Sequence, residues 1–227
     1  MATLLLRLAA PLQSWGSDSK FETRKTDREP TKSGVIGLLA AALGLRRDDA
    51  DGLARLNRLR FAVRADREGS LLVDFHTANR EEDRKKGKAP YVTYRHYLQD
   101  AVFLVGLESK DADLLRELET ALHHPVYPLY LGRRSCPPTL PLCLGVREGE
   151  ALELLRSEPS LVQAGLAGPM RIVADADPSD AAAAVRYDLP VSFSPIHRQY
   201  APRPVREWTV KEKMPDCTEH DAMAELR

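Results

Sequence analysis

Residues 30 to 44 read PTKSGVIGLLAAALG, a run that fits one buried helix and little else. Pro30 keeps the chain before it out of helical geometry. Thr31 and Ser33 each offer a hydroxyl to a free backbone N–H at a helix start. Gly44 stands where a left-handed terminating residue belongs. Val35, Ile36, Leu38, Leu39, Ala42 and Leu43 share one helical face. Gly34, Gly37, Ala40 and Ala41 make the other face small enough for a sheet or a backbone to approach closely.

The start of this helix carries unsatisfied N–H groups and the positive end of the helix dipole. Lys32 stands there, and Arg24, Lys25 and Arg28 lie in the polar loop just before it. Lys32, Ser33 and Gly34 are therefore a candidate anion site. The competing reading is a plain core helix behind a solvated basic loop. The TKS triplet is not a nucleotide-binding P-loop, because Thr31, not a glycine, stands directly before Lys32.

The rest of the chain must supply the sheet. Thr3 to Ala9 reads as a strand ended by Pro11, and 13–29 as a long polar loop. After the helix, 46–58 suggests a second, short helix. Leu59, Phe61, Val63 and Ala65 then alternate as a half-buried strand, with Leu71, Val73 and Phe75 as its expected hairpin partner. Ala101 to Leu107 is an apolar strand, Asp111 to His123 a helix closed by Pro125, and Leu140 to Val146 a closing strand. The expected class is α+β: a ferredoxin-like βαββαβ domain over 1–147, with a thumb inserted at about 77–99. A linker over 148–169 and a small C-terminal β unit over 170–227 complete it, and residues after Met214 look frayed.

The thumb has a character of its own. TANREEDRKKGKAP at 77–90 is densely charged, and YVTYRHYLQDA follows it. Lys86 and Lys88 precede Tyr94, Arg95 and Tyr97; cations of this kind meet phosphates, and planar rings stack on unpaired bases. The alternative is a mobile loop whose tyrosines pack on the body. The later stretch LYLGRRSCPP is a turn at Gly132 that presents Arg133 and Arg134, fixed by two prolines, with Tyr130 close enough to stack. Its alternative is a surface loop with solvated arginines.

Composition narrows the function classes. Lys plus Arg and Asp plus Glu are each 33, so the net charge is zero. A generic nucleic-acid binder is strongly basic, so any such contact here must come from local patches. No apolar run is long enough to span a membrane, and MATLLLRLAAP lacks the basic region of a signal peptide. Three cysteines suit a reducing compartment, hence the cytoplasm. Cys136 and Cys143 are seven apart, Cys217 is remote, and His123 and His124 are adjacent. None of this matches CxxC or HxxxH ligand spacing, so no metal or other cofactor is expected. The two histidines read as caps on the end of their helix. The aromatic consensus of RNA-recognition sheets is also absent, which directs any RNA to the thumb, the loops and the helix start.

PLQSWG at 11–16, PTKSGVIGLLAAALGLRRDD at 30–49, YRHYL at 94–98, LYLGRR at 129–134 and PVREWTV at 204–210 together resemble the CasD family of the type I-E CRISPR surveillance complex, Cascade. The resemblance implies a non-catalytic subunit that caps the 5′ handle of the guide RNA. It implies neighbours in the repeated backbone subunit CasC and the large subunit CasA, and contact with target DNA only through the complex. It implies that Arg95 and Tyr130 clamp the handle, that Arg133 and Arg134 hold its phosphates, and that the thumb presses between guide nucleotides. Tyr94 stands where that family has a Trp. Relatives in another CRISPR subtype cut precursor RNA with a Tyr, a Lys and a His. Tyr94, His96 and the thumb lysines therefore leave a metal-free endoribonuclease as the alternative.

Overall fold

The computed structural model describes residues 1–16, 19–20, 22–162, 170–194 and 196–210. Strands β1 (Ala2–Ala9), β2 (Leu12–Gln13), β3 (Ser19–Lys20) and β4 (Thr23–Arg24) precede helices α1 (Lys32–Leu43) and α2 (Ala50–Asn57). Then come β5 (Arg60–Arg67), β6 (Ser70–Ala78), the short α3 (Glu81–Lys85), β7 (Tyr91–Gln99), β8 (Val102–Ser109) and α4 (Ala112–His123). The chain continues through β9 (Cys143–Glu148), α5 (Ala151–Ser157), β10 (Met170–Asp175), β11 (Ala184–Ser192) and β12 (Gln199–Val210). The expected linker falls largely on 163–169, and the expected frayed end on 211–227, both outside the described residues.

This is a mixed α+β structure built on antiparallel pairing. One sheet runs β11-β12-β10-β5-β8-β1-β9. Strand β1 is buried on both faces over Thr3–Leu6, which is why Leu4, Leu5 and Leu6 run together rather than alternate with polar residues. Leu4, Leu6 and Leu8 join the core formed with α1, α2 and α4, while Leu5 joins Ala151 and Leu155 of α5. Gly106 leaves the space that Leu155 fills; a Cβ there would stand 2.8 Å from its Cδ1. Helix α1 begins at Thr31, whose hydroxyl accepts from the Gly34 N–H, and ends at Gly44 with φ 76°, as its sequence requires. Strand β10 pairs with β5, so the C-terminal strands extend the same sheet.

The strand carrying Leu71, Val73 and Phe75 corrects one expectation. Strand β5 takes β8 and β10 as neighbours, and β6 pairs instead with β7 along its whole length, from Ser70↔Gln99 to Ala78↔Tyr91. The protruding hairpin therefore begins at Ser70, earlier than the charged stretch. At its root Gly69 (φ 74°) and Asp100 (φ 56°) turn both chains out of the main sheet. Gly69 is required there: a Cβ would come within 2.4 Å of the Gln99 carbonyl oxygen. Alternation tells that a strand has an apolar face; it does not tell which neighbour the strand takes.

Candidate nucleic-acid interface

Strand β7 is the spine of a second sheet. Beyond β6 on one side, its root pairs with β2 (Leu12↔Gln99, Gln13↔Leu98), and further out it pairs in parallel with β4 (Thr23↔Tyr94, Arg24↔Arg95). The PLQSWG stretch is thus built into the base of the thumb. Trp15 is fully buried; its Nε1–H donates to Gln13 Oε1 (3.0 Å), and its ring lies on Gly34, where a Cβ would be 2.9 Å away. Gln13 in turn donates to the carbonyls of Leu8 and Ala101. These motif residues are scaffold.

A groove of about 1170 Å³ opens beside this base. Its floor is the small face of α1: Gly34, Gly37, Ala40 and Ala41. One wall is the 127–137 segment with Tyr127, Tyr130, Gly132 and Arg134; the other holds Phe193, Arg198 and Tyr200. Arg46 and Arg47 line it as well. Cations interleaved with rings around a floor without side-chain bulk suit a polyanion with planar groups. Ser33, Gly34, Tyr130, Gly132 and Arg134 from the sequence meet here. Arg46, Arg47, Tyr127, Phe193, Arg198 and Tyr200 were missed; the adjacent Arg46 and Arg47 and the HRQY run holding Arg198 and Tyr200 were the local signals.

Other expected residues stand elsewhere. Lys32 is buried, and its Nζ pairs with Asp175 at 2.9 Å. Its backbone N–H, at the positive end of α1, donates to Asp188 Oδ2 at 2.8 Å. The anion at this helix start is the protein's own carboxylate, so Lys32 is not presented to a ligand. The Ser33 hydroxyl is buried and donates to Thr31. Arg203 completes the cluster by donating to both carboxyl oxygens of Asp188 and pairing with Asp175. Burial pushes the Asp188 carboxyl up, but the Arg203 hydrogen bonds and charge, the Lys32 N–H and Arg186 outweigh it and hold it below the usual range. Nearby, Arg171 pairs with Glu29 and Glu68, which raise its pKa against the opposing effect of burial.

The two adjacent arginines divide their roles. The Arg133 guanidinium donates to the His96 carbonyl (3.0 Å) and the Arg24 carbonyl (2.8 Å) and lies 4.6 Å from the centre of the Tyr97 ring. It ties the 129–137 loop to β7 and β4 and is committed to that task. Arg134 is exposed and faces the groove. On the thumb, Tyr94 is exposed and meets Phe75 edge-on at 5.8 Å. Arg95 is half-buried, and its Nε has no hydrogen-bond partner. Lys86 and Lys88 lie beyond the Ala78–Tyr91 pair, at the exposed end of the hairpin.

The family model described as "CRISPR-associated protein (Cas_Cas5)" matches residues 3–206, and the chain belongs to that family. It is 44% identical over 172 residues to the CRISPR system Cascade subunit CasD of Escherichia coli (strain K12), covering 69% of this chain and 77% of that protein. Among solved structures it is similar to a chain of a CRISPR RNA-guided surveillance complex, with TM-score 0.77 and 35% identity, covering 92% of this chain and 90% of that one. A structure titled as that of a Cas protein matches with TM-score 0.71 and 40% identity, over 94% of this chain and all of the other. Among the described residues no helix is long and apolar enough to cross a membrane.

Proposed function

We propose that this chain is a non-catalytic subunit of a type I-E surveillance complex, where it binds and caps the 5′ handle of the guide RNA. The observation that carries the reading is the groove over α1, which interleaves Arg46, Arg47, Arg134 and Arg198 with Tyr127, Tyr130 and Tyr200 beside the root of the thumb. On a chain of zero net charge, that concentration of cations and rings is the local patch a single-stranded nucleic acid requires. Arg134 meets handle phosphates and Tyr130 stacks; Tyr94 and Arg95 act from the thumb, and Lys86 and Lys88 reach the guide from its end. CasC and CasA are the neighbouring subunits. Four of the strands, in the order β9-β1-β8-β5 with α1 and α4 on one face, support the ferredoxin-like plan for the domain.

The ribonuclease alternative is disfavoured by the hairpin. Tyr94 and His96 are on β7, but the thumb lysines enter only beyond Tyr91, five residues from His96, or about 17 Å along an extended strand. Metal-free cleavage needs the base and the cation at one phosphate. The test is coexpression with the neighbouring subunits, followed by sequencing of copurified RNA. A single repeat-derived 5′ end, protected in the complex and lost when Arg134 and Tyr130 are replaced by Ala, is expected. RNA of random sequence, or cleavage of labelled repeat RNA by the chain alone that His96→Ala abolishes, would overturn the reading.

A further inference from the structure

Away from the groove, Glu119 and His123 of α4 and Cys143 of β9 bring a carboxylate oxygen, an imidazole nitrogen and a sulfur within 4.8 Å of one another. Glu119 and His123 are four residues apart, so they lie one above the other on the same helical face. Cys143 is brought to them by an irregularity in β9. Leu5 pairs with Gly145 and Leu6 with Cys143, so one extra residue bulges out and re-aims the strand. Gly145 (φ 93°) keeps the approach open, since a Cβ there would stand 3.2 Å from Glu119 Oε1. The side chains of Glu119 and His123 have no hydrogen bond or ion pair among the described residues.

We propose that Glu119, His123 and Cys143 bind one zinc ion, which staples α4 to the edge strand of the main sheet. One thiolate, one imidazole and one carboxylate suit zinc, with water in the fourth position. Tetrahedral zinc sets its ligand atoms about 3.4–3.6 Å apart. Rotation of the half-buried Glu119 and the exposed His123 closes that gap while the buried Cys143 stays fixed. Zinc binding replaces the thiol proton, so it strengthens as pH rises. The inference is independent of the RNA-binding reading.

The probe is cobalt(II), added to the reduced, metal-free full chain and then displaced by zinc. One equivalent is expected to give tetrahedral visible bands and a sulfur-to-metal band in the near ultraviolet. Cys143→Ser should abolish the sulfur band, His123→Ala should weaken binding at least tenfold, and His124→Ala should leave both unchanged. No sulfur band in the parent, or a band that survives Cys143→Ser, overturns the proposal. Should Cys143→Ser fail to fold, X-ray absorption of the zinc-loaded parent decides instead. A shell of one sulfur with nitrogen and oxygen supports the site, and a shell without sulfur rejects it.

Discussion

The carbonyl oxygen of Ser14 occupies the space in which a side chain at Gly132 would begin, 1.6 Å from the position of a Cβ. The Ser14 N–H donates to the Leu131 carbonyl at 3.1 Å, so the two loops are pressed together backbone to backbone. Gly132→Ala must part them and also hold alanine at φ 85°. We expect a loss above about 2 kcal/mol, combining the left-handed strain of roughly 1–2 kcal/mol with the clash. Gly87→Ala is the control: its φ is 68°, with nothing within 4 Å, so only the strain remains. Urea denaturation of both variants checks the difference, and equal losses would contradict it.

Asp188→Ala leaves Arg203 buried with one partner fewer and strips the start of α1 of its anion. Breaking a buried pair from one side costs about 3–5 kcal/mol. In a chain of this size that lowers the melting temperature by about 6–20 °C, at 2–4 °C per kcal/mol. A melting temperature within a degree or two of the parent would show the cluster to be dispensable.

The same carboxylate predicts an acid limit. Its pKa in the folded chain lies below the unfolded value of about 3.9. The stability it confers is therefore fully present above that value and is lost as pH falls through the lower folded one. Thermal melts of the parent and Asp188→Asn should differ most at neutral pH and converge in strong acid. A gap that stays constant down to the lowest pH would refute this linkage.

Arg133 and Arg134 should fail differently. Arg133→Ala removes three carbonyl contacts and a ring contact, so it should lower stability and loosen the thumb root even without RNA. Arg134→Ala should leave the fold intact and weaken RNA binding by the assembled complex. Its plot of log affinity against log salt should flatten by about 0.7 per lost phosphate contact on a single strand. Arg134→Lys should restore part of that slope; identical slopes in parent and variants would remove Arg134 from the phosphate path.

The end of the thumb should be the first point of cleavage. From Asn79 to Pro90 every residue whose burial is described is exposed, so opening there sacrifices no core. Limited trypsin treatment of the free chain should cut after Lys85 or Lys86 before any bond in the main sheet. Earlier cleavage in β5 or β8 would contradict the fold.

How much of this was legible depends on the range of the forces involved. The limits of α1, the helix at 112–123 and the strands β1, β5 and β8 follow from caps, prolines and periodicity within a few residues and were readable, whereas β3 and β4 lie inside what reads as a polar loop at 13–29. The choice of β7 over β5 as the neighbour of β6 was not, because alternation is local and pairing is not. Lys32 shows the same limit. The sequence marks an anion at that helix start, but Asp188, which fills it, lies 156 residues away. Arg133 and Arg134 look identical on paper and are separated only by which of them reaches the His96 and Arg24 carbonyls. The Glu119, His123 and Cys143 cluster has no motif spacing because the fold assembles it from a helix and a strand.

The groove has one wall fastened to each end of α1. The wall carrying Phe193 and Arg198 springs from β11, whose Asp188 grips the Lys32 N–H. The opposite wall is tied by Val126 and Tyr127, whose N–H groups donate to the Ala42 and Ala41 carbonyls. The jaws are rooted at opposite edges of the sheet, and the helix between them works as a gauge block. Ten residue steps separate the two fastenings, about 15 Å at helical rise. Inserting one residue into α1 would lengthen that span only slightly, but it would rotate one fastening by about 100° relative to the other. The calibre of the groove is therefore written in the residue count of α1.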